Sequence, residues 1–418
     1  MTNYLTDDAV REFCERYYVD RRGTNCEKWD GLGKDFGDAD LIAMWVADME
    51  FKAPECVRDA LISRVEHGVF GYTFVPDSYY DAVIDWERAH HGYELKKEWI
   101  RITPGVVAGF YWAVNIYTEP GDAVIVQTPV YYPFQNAVRD NGRKLITVDL
   151  DYNDGRFTCN AAAFEQAIID NDVKMYILCS PHNPVGRVWT EDELKEQIEI
   201  CKRHDVMIIS DEIHQDLVFG DSKHIPAALV AAGMSGDSTE GKSSTDLAGE
   251  RYDKLITLFA SSKTFNLASC LTSTVVIEND DLRAKWDEFM KVYHNVGTNV
   301  FGITAVEAAL RGGEEWYEGL KKVIWHNYEL VRDGLAEFPG VRVASLEGTY
   351  LVFVDLSAYV PADEMKAFVQ DKCRLAVDYG DWFGANWGTF IRLNLGTHPA
   401  LVEEAVANLR KNLAELVK

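Results

Sequence analysis

The sequence predicts an α/β fold: a large domain built on a doubly wound, mainly parallel sheet, followed by a smaller α+β domain. Three observations predict it. Short β-rich runs alternate with helical patterns through the middle of the chain. Most of those runs are almost continuously apolar, as strands are when helices cover both faces of a parallel sheet. After about residue 295 the rhythm changes, and two long helical patterns precede a single apolar strand. The candidate strands of the large domain are 123–127, 145–148, 174–179, 206–210, 255–259 and 274–277. Between two of them, Thr190, Glu191, Asp192 and Glu193 form a capping box, followed by Leu194, Ile198 and Cys201 at helical spacing. The small domain is expected to hold helices over 301–311 and 315–338 and a strand over 350–355. Its last helix, 400–417, carries Leu401, Ala405, Leu409, Leu413 and Leu416 on one stripe. The expected division is an N-terminal segment, 1–50, packed on the small domain, a large domain over 51–295, and a small domain over 296–418. Residues 234–250, rich in Ser, Thr, Gly and Asp without an aromatic, are expected to be an exposed insertion.

Composition narrows the function. Among 418 residues, 42 Lys and Arg face 67 Asp and Glu, a net charge of −25. That field repels polyanions, so nucleic acid and anionic membranes are poor partners. No run approaches the roughly 20 apolar residues of a membrane span. The first ten residues include Asp7 and Asp8 and lack a basic-then-apolar leader. The eight cysteines are scattered without a Cys-x-x-Cys pair, which suits a reducing cytoplasm and suggests no metal site.

The polar residues that break the apolar pattern fall at strand ends. Asn183 follows the 174–179 run, Asp211 follows 206–210, Lys263 follows 255–259, and Tyr131 follows 123–127. Ligands of open α/β sheets sit outside the carboxyl ends of the strands, so these four mark a candidate site. Thr103-Pro104-Gly105-Val106-Val107 leads into a helical pattern over 108–117, offering free amides and a positive dipole end to an anion. There is neither a Walker A lysine loop nor a Gly-x-Gly-x-x-Gly, which disfavours nucleotide cofactors. Lys263 lies among small polar residues, Ala260-Ser261-Ser262-Lys263-Thr264, where a desolvated amine could act as a nucleophile. A solvated surface lysine is the alternative.

Taken together, the segments 45–51 (Trp-Val-Ala-Asp-Met-Glu-Phe), 181–186 (Pro-His-Asn-Pro-Val-Gly), 210–214 (Ser-Asp-Glu-Ile-His), 262–266 (Ser-Lys-Thr-Phe-Asn) and 392–394 (Arg-Leu-Asn) resemble pyridoxal-phosphate enzymes of fold type I. The likeness is to the cystathionine β-lyase branch that includes MalY and PatB. The resemblance implies a pyridoxal 5′-phosphate cofactor joined to Lys263, which would then move the substrate's α-proton. Asp211 would pair with the pyridine nitrogen. Asn183 would meet the phenolic oxygen, and Tyr131 would stack on the ring. The amides of Gly105, Val106 and Val107, with Ser262, would hold the phosphate. Arg392 would fork onto the substrate carboxylate, with Asn183 and Tyr350 beside it. Tyr72 would reach the phosphate of a neighbouring subunit, which implies a homodimer. His214 stands where aminotransferases of this fold carry a tyrosine, and Ser269 where the family has a glycine.

The expected reaction is an α,β-elimination on a sulfur amino acid, such as cystathionine or a cysteine S-conjugate, giving a thiol, pyruvate and ammonia. Two alternatives stay open on the sequence: an aminotransferase using the same residues, and a regulatory protein acting through a partner surface. The remaining histidines, including His224 and His294, read as packing or surface residues.

Overall fold

A computed structural model of the chain describes residues 7–233, 251–293 and 299–417. The insertion expected over 234–250, and His294, lie outside the described residues. The large sheet has seven strands: β1 (Ile100–Thr103), β2 (Ala123–Thr128), β3 (Lys144–Asp149), β4 (Val173–Cys179), β5 (Met207–Asp211), β6 (Leu255–Phe259) and β7 (Ser273–Val276). Their spatial order is β1-β7-β6-β5-β4-β2-β3. From β6 to β3 every pairing is parallel. Alternating side chains divide the packing around this sheet into two faces. Val124, Val126, Met175, Ile177, Ile209, Ile256 and Leu258 pack on one face of the sheet. Ile125, Tyr176, Leu178, Ile208, Leu255 and Phe259 pack on the other. Helices cover both faces, which is why these strands read as unbroken apolar runs.

Two features of the sheet differ from the sequence expectation. The 274–277 run forms β7, which pairs antiparallel with both neighbours, β1 and β6. Its buried, apolar sequence is the same whichever way the strand runs, because direction is set by its partners. β1 itself is unannounced in the sequence. Arg101 interrupts its apolar run, and the charge is met by Asp287 at 2.6 Å. A smaller difference is that the 206–210 strand extends to Asp211, which pairs with Cys179 across the ladder. Asp211 is therefore a strand residue held by the sheet rather than the first residue of a loop.

The smaller sheet is antiparallel throughout, in the order β8 (Arg342–Val343), β9 (Leu351–Asp355), β11 (Phe390–Asn394), β10 (Asp378–Tyr379). Helices Glu314–Leu335 and Pro399–Ala414 pack together beside it. The N-terminal helix Asp8–Tyr17 lies on Glu314–Leu335. There a Cβ on Gly319 would meet the Phe13 ring at 2.6 Å, so the close approach requires glycine. Ile42–Ala43 pairs in parallel with Leu375–Ala376, tying the N-terminal segment to the same body. Helix Val300–Gly312 packs on Glu55–His67 and Asp77–His91. No helix among the described residues is long and apolar enough to cross a membrane.

Candidate active site

The carboxyl ends of β2, β4, β5 and β6 point to one edge of the large sheet, because these strands are parallel. β1 joins them. It runs antiparallel to β7, which runs antiparallel to β6, so β1 is parallel to β6 and also ends at that edge. Asp211, Lys263, Asn183, Tyr131 and the Gly105 turn are all carried there by topology.

Lys263 sits in the four-residue helix Ser261–Thr264 directly after β6. Its amine donates to the carbonyl of Ala47 at 2.7 Å. Burial lowers its pKa from 10.5 to about 8; Asp48 and Asp211 oppose the shift, while Arg392 adds to it. An amine at about 8 is neutral in an appreciable fraction of molecules near neutral pH. The lysine is positioned from both sides in sequence. Thr264 donates its hydroxyl to the buried Asp216 carboxylate. Asn266, held at φ +57°, clamps the 45–51 segment: its amide donates to Met49 and Phe51 carbonyls at 3.0 and 2.8 Å and its oxygen accepts from Met49 N–H at 3.1 Å. Ser269 does not take a positive φ, so the family's glycine is not required for backbone freedom at that position.

Asp211 is 4% exposed and accepts from the Ile213 amide at 3.1 Å. Among the described residues it has no salt-bridge partner, and burial pushes its pKa from 3.8 to about 7. A buried carboxylate without a cation calls for one to be supplied. Asn183 is 4% exposed and turns its side-chain oxygen to Arg392, whose Nη1 donates to it at 3.0 Å. Backbone bonding also joins Tyr131 to this segment, since its N–H donates to the Asn183 carbonyl at 3.1 Å. Arg392 lies on β11 and is buried; it also donates to the Trp45 carbonyl at 3.0 Å and pairs with Asp378. Tyr350 donates its hydroxyl to the Ala47 carbonyl, the same acceptor that Lys263 uses, and its ring meets His214 edge-on at 5.8 Å between centroids. Burial, with Lys263 and Arg392 nearby, holds His214 well below its ordinary range, so the imidazole is neutral. Its buried Nδ1 has no partner among the described residues.

The helix Val106–Tyr117 begins immediately after Gly105, and no side chain among the described residues caps its first amides. Val106 is buried, whereas Val107, on the same first turn, is 39% exposed. Ser262 is half-buried beside Lys263. Tyr72 stands apart from all of these, fully exposed on the stretch between helices Glu55–His67 and Asp77–His91. His224 donates its Nε2–H to the buried Glu212 carboxylate at 2.9 Å, as a packing residue would.

Several supporting residues escaped the sequence reading. Asn394 donates to the carbonyls of Val46 and Asp48 at 2.6 and 2.7 Å, so with Asn266 it fastens the 45–51 segment over the site. Both lie within motifs quoted from the sequence, but their partners are more than 200 residues away. Asp378 gave one signal, an acid within an otherwise buried run.

Comparison with known proteins places the chain among amino-acid enzymes. The family model for aminotransferase class I and II matches residues 40–409. The cystathionine β-lyase PatB of Bacillus subtilis (strain 168) is 36% identical over 94% of this chain and 98% of its own length. Protein MalY of Escherichia coli (strain K12) is 31% identical over 94% of this chain and 96% of its own. Among solved structures, cystalysin from Treponema denticola, which contains a pyridoxal 5′-phosphate cofactor, superposes with a TM-score of 0.87 at 32% identity, covering 96% of this chain and 98% of that one.

Proposed function

Because the chain belongs to the aminotransferase class I and II family, in its MalY/PatB branch of fold type I pyridoxal-phosphate enzymes, we propose that it is a carbon–sulfur β-lyase. Its substrates are L-cystathionine or cysteine S-conjugates, and its products a thiol, pyruvate and ammonia. The observation that carries this reading is the gathering of Lys263, Asp211 and Asn183 at one edge of the large sheet, met there by Arg392 from the small sheet, beneath the branch's own 45–51 segment.

The residues present fit pyridoxal phosphate by their chemistry. A lysine amine at about 8 suits the aldehyde, and a buried carboxylate without a cation suits a protonated ring nitrogen. An uncapped helix start, Gly105 to Val107, with Ser262, suits the phosphate. Asn183 would meet the phenolic oxygen, and Tyr131, with His214 nearby, would lie against the ring. When bound, the cofactor supplies an electron sink conjugated with the substrate's Cα.

This chain's residues do the remaining work. Arg392 binds the α-carboxylate, with Asn183 and Tyr350 beside it, and so fixes which Cα bond faces Lys263. Freed by the incoming amine, Lys263 Nζ takes the proton from Cα. Asp211 would hold a proton at the ring nitrogen and so support the cofactor's capacity as an electron sink. The Cβ–S bond then breaks; sulfur leaves with the electron pair and is protonated as the thiol. The three-carbon remainder, once released, takes up water to give pyruvate and ammonia.

A homodimer belongs to this reading. Ile62, Val65, Val69, Phe70, Tyr72 and Phe74 are all exposed within thirteen residues of chain, an apolar stretch of the kind that marks an interaction surface. A second copy seated there would carry Tyr72 to its partner's phosphate site. The eight unpaired cysteines suit a reducing cytoplasm. The test is purified holoenzyme given cystathionine without any keto acid. Pyruvate and thiol are expected over many turnovers; a single half-turnover would favour transamination instead.

A further inference from the structure

Arg392 is already engaged by a carboxylate of its own chain. Asp378 lies directly opposite it in the ladder between β10 and β11, and both residues are only 2% exposed. The guanidinium's Nη2 donates both to the Asp378 carboxylate and to the Trp45 carbonyl, its Nη1 donates to Asn183, and its buried Nε has no partner among the described residues. Both hydrogens of Nη2 are therefore committed. Nη2 belongs to each edge that can grip a carboxylate with two parallel bonds, so a second carboxylate can be held in that way only where Asp378 or the Trp45 carbonyl yields, and Asp378 is the one of the two that carries a like charge.

We propose that Asp378 is a specificity-determining residue: an internal carboxylate that competes with the substrate's α-carboxylate for Arg392 and sets how tightly amino acids are captured. This rests on the reading of Arg392 as the substrate's carboxylate receptor. The charge count supports it. Arg392 with Asp378 is neutral, so a substrate carboxylate that approaches this buried pair meets no net positive charge there unless Asp378 gives way. Burial already pushes the Asp378 carboxyl upward. A merely structural Asp378 would do the opposite of competing, since it would hold the guanidinium in place and help capture.

The two roles give opposite signs. Holoenzyme is titrated calorimetrically with L-alanine, which has no β-leaving group, and with ethylamine, which has the amine but no carboxylate. In Asp378→Asn, and in Asp378→Ser as a second variant, alanine is expected to bind at least threefold more tightly, with ethylamine unchanged. Asp378→Glu, which keeps the charge, is expected to show no such gain. Alanine binding that is unchanged or weaker in the neutral variants, or an equal gain for ethylamine, overturns the proposal. Because alanine releases no thiol, failure of cystathionine cleavage would sink the lyase reading and leave this result standing.

Discussion

At the scale of single residues, the site depends on what burial does to a few charges. Arg392 receives the substrate carboxylate in the proposed reaction, so Arg392→Ala is expected to raise KM by about 30- to 1000-fold, equivalent to ~2–4 kcal/mol for a buried charge pair. Cofactor retention, read by absorbance, is expected to be unchanged; an unaltered KM would remove Arg392 from that role. Residues whose importance is local were legible in the sequence. Asp211 ends one apolar run and Lys263 follows another within a short polar stretch, which a single sequence displays. Asp378, Asn266 and Asn394 were not legible as site residues, because their roles consist of partners brought close only by folding: Arg392 across a ladder, and the 45–51 carbonyls from the far end of the chain.

At the scale of elements, the parallel core was readable and the sheet's antiparallel edge was not. Buried strands announce themselves by unbroken apolar sequence, yet that sequence is silent on direction. β7 shows this, its residues buried between β6 and β1 but running against both. β1 escaped because Arg101 breaks its pattern, and Asp287 compensates that charge only in the folded chain. Helix Asp77–His91 carries a second effect of burial. Glu87 on it is 1% exposed, accepts from Gln215 at 2.6 Å, and has no partner for its other oxygen among the described residues. Burial pushes its pKa from 4.5 to about 8. The folded chain thus keeps a proton that the unfolded chain has lost across that interval. This group's contribution to stability is full below pH 4.5 and is lost as pH rises through about 8. Glu87→Gln is expected to remove that slope. Between pH 5 and pH 9 the wild type should lose Tm relative to the variant, and a constant Tm difference would contradict a protonated Glu87.

At the scale of the whole molecule, the two sheets supply different halves of the site. The large sheet presents Lys263, Asp211 and Asn183, and the small sheet presents Arg392 from β11. A second subunit would complete it through Tyr72. Val69→Asp combined with Phe74→Asp places charges in the exposed apolar stretch. Light scattering after gel filtration is expected to report a monomer with weakened cofactor retention, whereas an intact dimer would show that this surface is not the interface.

The covalent attachment of a cofactor at position 263 is the premise of the proposed chemistry, and it can be read without any turnover. Holoenzyme reduced with borohydride and digested with trypsin is expected to carry a pyridoxyl group on the peptide containing Lys263, and the label should vanish in Lys263→Ala. A label on a different lysine, or no label on protein that is visibly yellow, would contradict it.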